Sequence, residues 1–376
     1  MSYPMISDPM TPAGLLHRLV AFDTTSRNSN LELVGWATAL LETAGARIRL
    51  THDSGGAKAN LLASFGPDVP GGIVLSAHTD TVPVDGQSWS SNPFELRQCD
   101  GRFYGRGATD MKGFVACCLA FAPQWGQARL KRPVHLALSY DEEIGCFGVP
   151  RLVADLVANL SRPALVVVGE PTGMRIGDRH RGYLGFRTIF HGHAVHSGNP
   201  GKGVSAIAAA ARFVGLLDGH GTQDAKGDDR TTFNVGQISG GTGINIVPGR
   251  CEVLWEIRPA ASADIAALRS ATDAFVQCAA RPGPPPETRE TVMIPPLRPE
   301  ADNPALTIAQ GLGGTLPLLE LPFGTEAGFF QAAGIPTVVC GPGSIEQAHQ
   351  ADEWIAAEQL DEAMRFLGRA TQWAEA

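Results

Sequence analysis

The stretch SAHTDTVP, residues 76–83, follows the apolar run Gly72, Ile73, Val74 and Leu75, and its reading decides the fold. A short apolar run bounded by turn residues reads as a buried strand, so His78 falls where that strand gives out. In an open α/β sheet, ligands gather beyond the carboxyl ends of the strands. Three more apolar runs end in the same manner. Residues 134–138 lead past Tyr140 to Asp141, Glu142 and Glu143, and residues 165–168 lead through Gly169 to Glu170. Residues 336–339 lead through Cys340 and the loop GPGS toward His349. Imidazoles and carboxylates at four strand ends share one simple reason, a cation held between them.

Outward from these runs the chain alternates strand with helix. Thr11 and Pro12 form a cap and first turn before Leu15, Leu16, Leu19 and Val20, and a second helix is expected over about residues 30–45. Asp110 opens a helix with Phe114, Val115, Cys118, Leu119 and Ala122 facing inward. The alternation predicts the α/β class, a mixed, mostly parallel sheet flanked by helices. From about residue 178 the pattern changes. Strands at 184–191, 231–238 and 244–257, with helices at 205–217 and 264–278, predict an inserted α+β sandwich. RPGPPPETRE, residues 281–290, reads as a stiff polar return linker. The α/β pattern then resumes, with Pro317 favouring an edge position for the run 318–321. The expected division is a discontinuous catalytic domain, 1–178 and 291–376, around an inserted domain, 179–290.

A chain of 376 residues exceeds the roughly 250–300 at which single cores stop growing, which fits two domains. The net charge of −8 and the lack of a Lys/Arg cluster argue against a nucleic-acid partner. No apolar run approaches the ~20 residues of a membrane span, and MSYPMISDPMTP has neither a basic start nor an apolar centre. Seven cysteines, odd in number and without a CxxC pair, fit a reduced, cytoplasmic protein.

The candidate ligands are His78, Asp110, Glu143, Glu170 and His349. Two imidazoles, three carboxylates and no thiolate suit Zn, Co or Mn in a catalytic role. Five residues exceed one open tetrahedral site and are few for two separate ones. Two divalent ions sharing a bridging carboxylate resolve the count. Their four positive charges against three carboxylates leave one, which favours a hydroxide, and coordination can bring the pKa of water from 15.7 to about 7. Asp80, two residues beyond His78, is placed to accept the imidazole's other N–H. Glu142, beside a ligand, can take the water's proton and pass it to a leaving amine.

The motifs SAHTDTVP, GRGATDMKG, SYDEEIG, VVVGEPT, GHAVHSG, EIRP and GPGSIEQAHQADEW occur in this order, and together they resemble the di-zinc exopeptidase and deacylase family. The resemblance implies that Asp110 bridges two ions, with His78 and Glu170 on one and Glu143 and His349 on the other. It implies Glu142 as general base, Asp80 as the residue steering His78, and a cis bond after Asp110. It implies that the insert is a lid through which a homodimer forms, His196 reaching the partner subunit's site to stabilise an oxyanion. Arg258 and Asn245 are implied to hold the substrate's α-carboxylate. A separate metal site at His191, His193 and His196 is the weaker reading, because no carboxylate or thiol near them in sequence completes a shell.

Within the family, residues 323–354 resemble the acetylornithine deacetylase branch more than the desuccinylases or glutamate carboxypeptidases. That implies removal of an acetyl group from N2-acetylornithine in arginine biosynthesis, with Glu326 offered as partner for the substrate's free amine. A desuccinylase, a broad aminoacylase and a non-catalytic member remain as alternatives.

Overall fold

The structure, a computed structural model, describes residues 9–220 and 230–376. The chain divides into two compact units. The first comprises the residues up to Arg179, Pro299–Leu321 and Thr325–Ala376; the second comprises His180–Arg298 with Pro322–Gly324.

The first unit is built on an eight-stranded mixed sheet. Its order is Arg47–His52, Ala59–Phe65, Val134–Ser139, Ile73–His78, Leu165–Pro171, Thr337–Gly341, Arg175–His180 and Thr315–Leu321. The four central strands run parallel, with His78 opposite Ser139 and Thr337 opposite Val166. All four are buried along their whole length, which is why they read as unbroken apolar runs. Arg47–His52 and Ala59–Phe65 add antiparallel at one side. Thr315–Leu321, which contains Pro317, lies at the opposite edge, the position that tolerates proline in a sheet.

Side-chain alternation sends Ile73, Leu75 and Ala77 into a core with the helices Pro12–Val20, Gly113–Gln127 and Ala357–Glu375. Thr11 caps the first of these, its hydroxyl accepting from Gly14 N at 3.2 Å. Ser76 and Ser139 fall on the other sheet face, where Glu326 at the start of the helix Ala327–Ala332 meets them. The turn-rich segment after His78 contains Arg97–Cys99 and Arg102–Tyr104, which form a small sheet with Trp354–Ala356.

The second unit is an antiparallel sheet, ordered Thr232–Gly240, Arg250–Arg258, Tyr183–His191 and Glu287–Ile294. The helices Ala206–His220 and Ile265–Ala280 share an apolar core with it, built around Phe190, Phe213, Trp255 and Val276. The tract expected as a linker supplies part of this sheet. Glu287–Ile294 pairs along Tyr183–His191 at the edge of the sheet, and its charged side chains are exposed on both faces, Glu287 and Arg289 on one and Glu290 on the other, so the residues that read as solvated linker begin an edge strand. The strand expected from residue 244 begins at Arg250, leaving Asn245 in the preceding loop.

Candidate metal centre

His78 closes its strand and is buried. Its Nδ1 lies 2.9 Å from the backbone carbonyl oxygen of Asp80. A carbonyl only accepts, so Nδ1 carries hydrogen and Nε2 is the atom turned toward the other ligands. Nε2 lies 2.9 Å from Asp110 Oδ1 and 3.8 Å from Glu170 Oε1. The Asp80 side chain stands farther from this nitrogen than its carbonyl does, its Oδ1 3.8 Å from Nδ1. Three other donors hold that carboxylate: Glu142 N at 3.1 Å, Glu143 N at 3.2 Å and the Ser26 hydroxyl at 2.6 Å.

The second oxygen of Asp110 faces the other way. His349 Nε2 lies 3.3 Å from Asp110 Oδ2 and 3.0 Å from Glu143 Oε2. Two triads result, His78–Asp110–Glu170 and Asp110–Glu143–His349, each with its ligand atoms within 4.8 Å of one another. Asp110 is common to both and gives one oxygen to each. The Asp110–Met111 peptide bond is cis. Glu142 sits beside this cluster, 9% exposed, with the Cys146 thiol donating to its Oε1 at 3.4 Å.

So many carboxylates in one buried place leave a demand for positive charge. Burial raises Glu142 well above the ordinary 4.5, and the charges of Glu143 and Asp80 add to that against the opposing pull of His78. Burial and the Asp110 charge raise Glu170 in the same sense and bring Glu143 up to about 7. Hydrogen bonds to Asp110 and Glu143 lift His349 to about 10. Burial pushes Asp110 up, but hydrogen bonds from His349 and His78 outweigh it and hold the group below the usual carboxylate range.

Glu326, read as partner for a substrate amine, lies in the interior. It has no exposed surface, and the hydroxyls of Ser76 and Ser139 donate to its two oxygens, the latter at 2.8 Å. A helix start read from sequence gave no sign that the side chain turns down between two strands.

In the second unit, His196 and Asn245 stand on neighbouring exposed loops, joined by Ser197 N donating to Asn245 O at 2.9 Å. Gly198 N donates to His196 Nδ1 at 3.0 Å, so the imidazole hydrogen lies on Nε2, free to be donated. Arg258 turns its fork to Glu256 on its own strand, at 3.1 and 3.3 Å, and lies 3.9 Å above the Tyr183 ring. His191 has a carboxylate neighbour that sequence distance concealed, Glu287 at 3.1 Å on the adjacent strand.

The sequence pattern of peptidase family M20/M25/M40 matches residues 74–372. The chain belongs to that family. It is 35% identical over 370 residues to the acetylornithine deacetylase of Myxococcus xanthus, covering 94% of this chain and 95% of the relative. The acetylornithine deacetylase of Pasteurella multocida is 31% identical over 369 residues, with 93% and 91% covered. Among solved structures, the M20 family metallo-carboxypeptidase Sso-CP2 of Sulfolobus solfataricus superposes with a TM-score of 0.78 at 18% identity, covering 96% of this chain and 98% of that one. YXEP of Bacillus subtilis, described as a dinuclear metal binding peptidase from the M20 family, gives 0.68 at 18% identity, with 97% and 98% covered. Those two likenesses establish the shared fold.

As a member of the M20 family the chain is a metal-dependent hydrolase. Its residues fit two ions. The donors are nitrogen and oxygen only, the shared carboxylate presents a separate oxygen to each triad, and buried Glu143 Oε1 has no hydrogen-bond partner among the described residues. No helix among the described residues is long and apolar enough to cross a membrane. Sequence reading passed over Arg106 and Glu353, which pair at 2.8 Å inside the protein against the Asp110 loop. Both stand within quoted motifs, and a charge of each sign flanking the ligands was the available signal.

Proposed function

We propose that the protein hydrolyses the acetyl amide of N2-acetyl-L-ornithine to L-ornithine and acetate, a step of arginine biosynthesis. The observation that carries this reading is Asp110 with one oxygen in each triad and Glu142 alongside. The choice of substrate draws on the two relatives named acetylornithine deacetylase, which align over nearly their whole length.

His78, Asp110 and Glu170 would hold one ion, and Asp110, Glu143 and His349 the other. Zinc, or cobalt or manganese in its place, would polarise the acyl carbonyl and bring the pKa of water from 15.7 to about 7. Glu142 takes the proton of the attacking water and delivers it to the departing ornithine nitrogen as the C–N bond breaks. Its burial suits it to hold that proton between the two transfers. His196 of the partner subunit donates its Nε2–H to the oxyanion as the tetrahedral species forms. Arg258 and Asn245 receive the α-carboxylate, Arg258 by exchanging Glu256 for the substrate. The protein acts as a cytoplasmic homodimer joined through the inserted unit. Exposed Ile207, Ile238, Ile244 and Ile246 on that unit support this.

Turnover of acetylornithine, succinyl-diaminopimelate and acetylmethionine by the zinc-loaded enzyme tests the reading. Acetylornithine should show the highest kcat/KM, and Glu142→Ala should lower it by roughly 10²–10⁴-fold. A preparation with two bound ions that cleaves none of the three would overturn it.

A further inference from the structure

We infer that Glu353 and Arg106, neither of them a ligand, are positioning residues that set the Asp110 loop against the His349 loop and so build the second triad. The inference rests on the two-ion reading above. Glu353 is 1% exposed and uses both oxygens on the Asp110 loop. Oε1 accepts from Thr109 N at 2.9 Å and Asp110 N at 3.1 Å; Oε2 accepts from Gly107 N at 2.9 Å and Arg106 Nη1 at 2.8 Å. Three backbone N–H groups of one four-residue stretch and one guanidinium thus converge on a single carboxylate, which fixes the direction in which Asp110 leaves the backbone. Gly107 makes that turn possible. It sits at φ 78°, and a Cβ there would lie 2.7 Å from Thr81 Cγ2.

The same pair controls the other loop. Glu353 follows His349 by four residues, and its carbonyl accepts Gly105 N at 2.9 Å, in line with the pairing of Trp354 with Tyr104. Arg106 Nη1 also reaches the carbonyl of Gln350 at 3.3 Å, and Gln87, an acceptor for Arg106 Nη2, donates to the carbonyl of His349 at 2.8 Å. Asp110 and His349 are therefore spaced by one buried ion pair, whereas His78 and Glu170 arrive on parallel strands that already pair through the sheet. Asp110 serves both triads but His349 only one, so loss of the pair, which loosens both loops, should fall more heavily on the Glu143–His349 ion than on its neighbour.

The test is titration of chelator-treated protein with Mn²⁺, free Mn²⁺ being counted by electron paramagnetic resonance, for wild type, Glu353→Gln and Arg106→Lys. Glu353→Gln keeps the shape and removes the acceptor charge; Arg106→Lys keeps the charge and removes the fork. The wild type should take two ions. Both variants should bind one ion close to wild-type affinity and the second roughly 10–100-fold more weakly. A merely structural role would lower the denaturation midpoint and leave both affinities in place. That result in either folded variant overturns the positioning role, while the proposed function stands. A wild type that takes fewer than two ions removes the basis of both.

Discussion

The Asp80 carboxylate accepts the backbone N–H of Glu142 at 3.1 Å. It therefore acts on the base, while the Asp80 carbonyl orients His78. Any residue at position 80 keeps that carbonyl. Asp80→Ala should thus retain two ions per chain and lose roughly 10–100-fold in kcat, because Glu142 is no longer anchored. Metal analysis beside steady-state kinetics distinguishes the two roles. Metal lost in step with activity would return the side chain to His78.

Loading the site with metal should release protons. A ligating imidazole must be neutral and a ligating carboxylate ionised. In the metal-free protein, hydrogen bonds to Asp110 and Glu143 hold the proton on His349 up to about pH 10, and burial holds one on Glu143 up to about 7. Binding at that triad displaces one proton at pH 8 and about two below pH 7, so affinity for this ion falls as pH falls. Calorimetric titration with zinc in buffers of differing protonation heat measures the count. A binding heat independent of buffer would contradict it.

Glu326 should behave as an interior residue. Glu326→Ala leaves the Ser76 and Ser139 hydroxyls buried without their acceptor, a loss of about 2–6 kcal/mol in stability at roughly 1–3 kcal/mol per unsatisfied group. Glu326→Gln still offers one acceptor and should fold, with its preference for acetylornithine over acetylmethionine unchanged. If that preference collapses in a folded Glu326→Gln enzyme, the buried carboxylate does select the substrate amine.

The gathering of His78, Glu143, Glu170 and His349 around Asp110 was legible because four buried parallel strands must read as unbroken apolar runs, and each points its next polar residue at the same sheet edge. Partners of those ligands were not legible. Glu353 meets backbone N–H groups, which leave no trace in side-chain chemistry, and Asp80 uses its carbonyl where its carboxylate was the visible candidate. Glu287–Ile294 hid as a linker because a Pro run precedes it and its charged residues are exposed. An edge strand exposed on both faces over most of its length carries little of the apolar signal that a central strand does.

His135 should make the fold acid-sensitive apart from the metal centre. It lies on the strand Val134–Ser139, 2% exposed, with Nδ1 2.8 Å from the Ser64 hydroxyl and Nε2 buried without a hydrogen-bond partner among the described residues. Burial, helped by Arg47, lowers it from 6.5 to about 4. The native state therefore keeps the neutral ring while the unfolded chain takes up a proton below about pH 6.5. Stability from this group is complete above 6.5, falls by about 1.4 kcal/mol per pH unit between 6.5 and 4, and levels off once the native ring also protonates. His135→Gln cannot titrate. Urea denaturation of metal-free wild type and variant at pH 7.5 and 5.0 should show the wild type losing about 2 kcal/mol more than the variant over that interval. Titration of the metal ligands is common to both proteins and cancels in the comparison, so equal losses would mean that the His135 ring already carries its proton in the native state at pH 5.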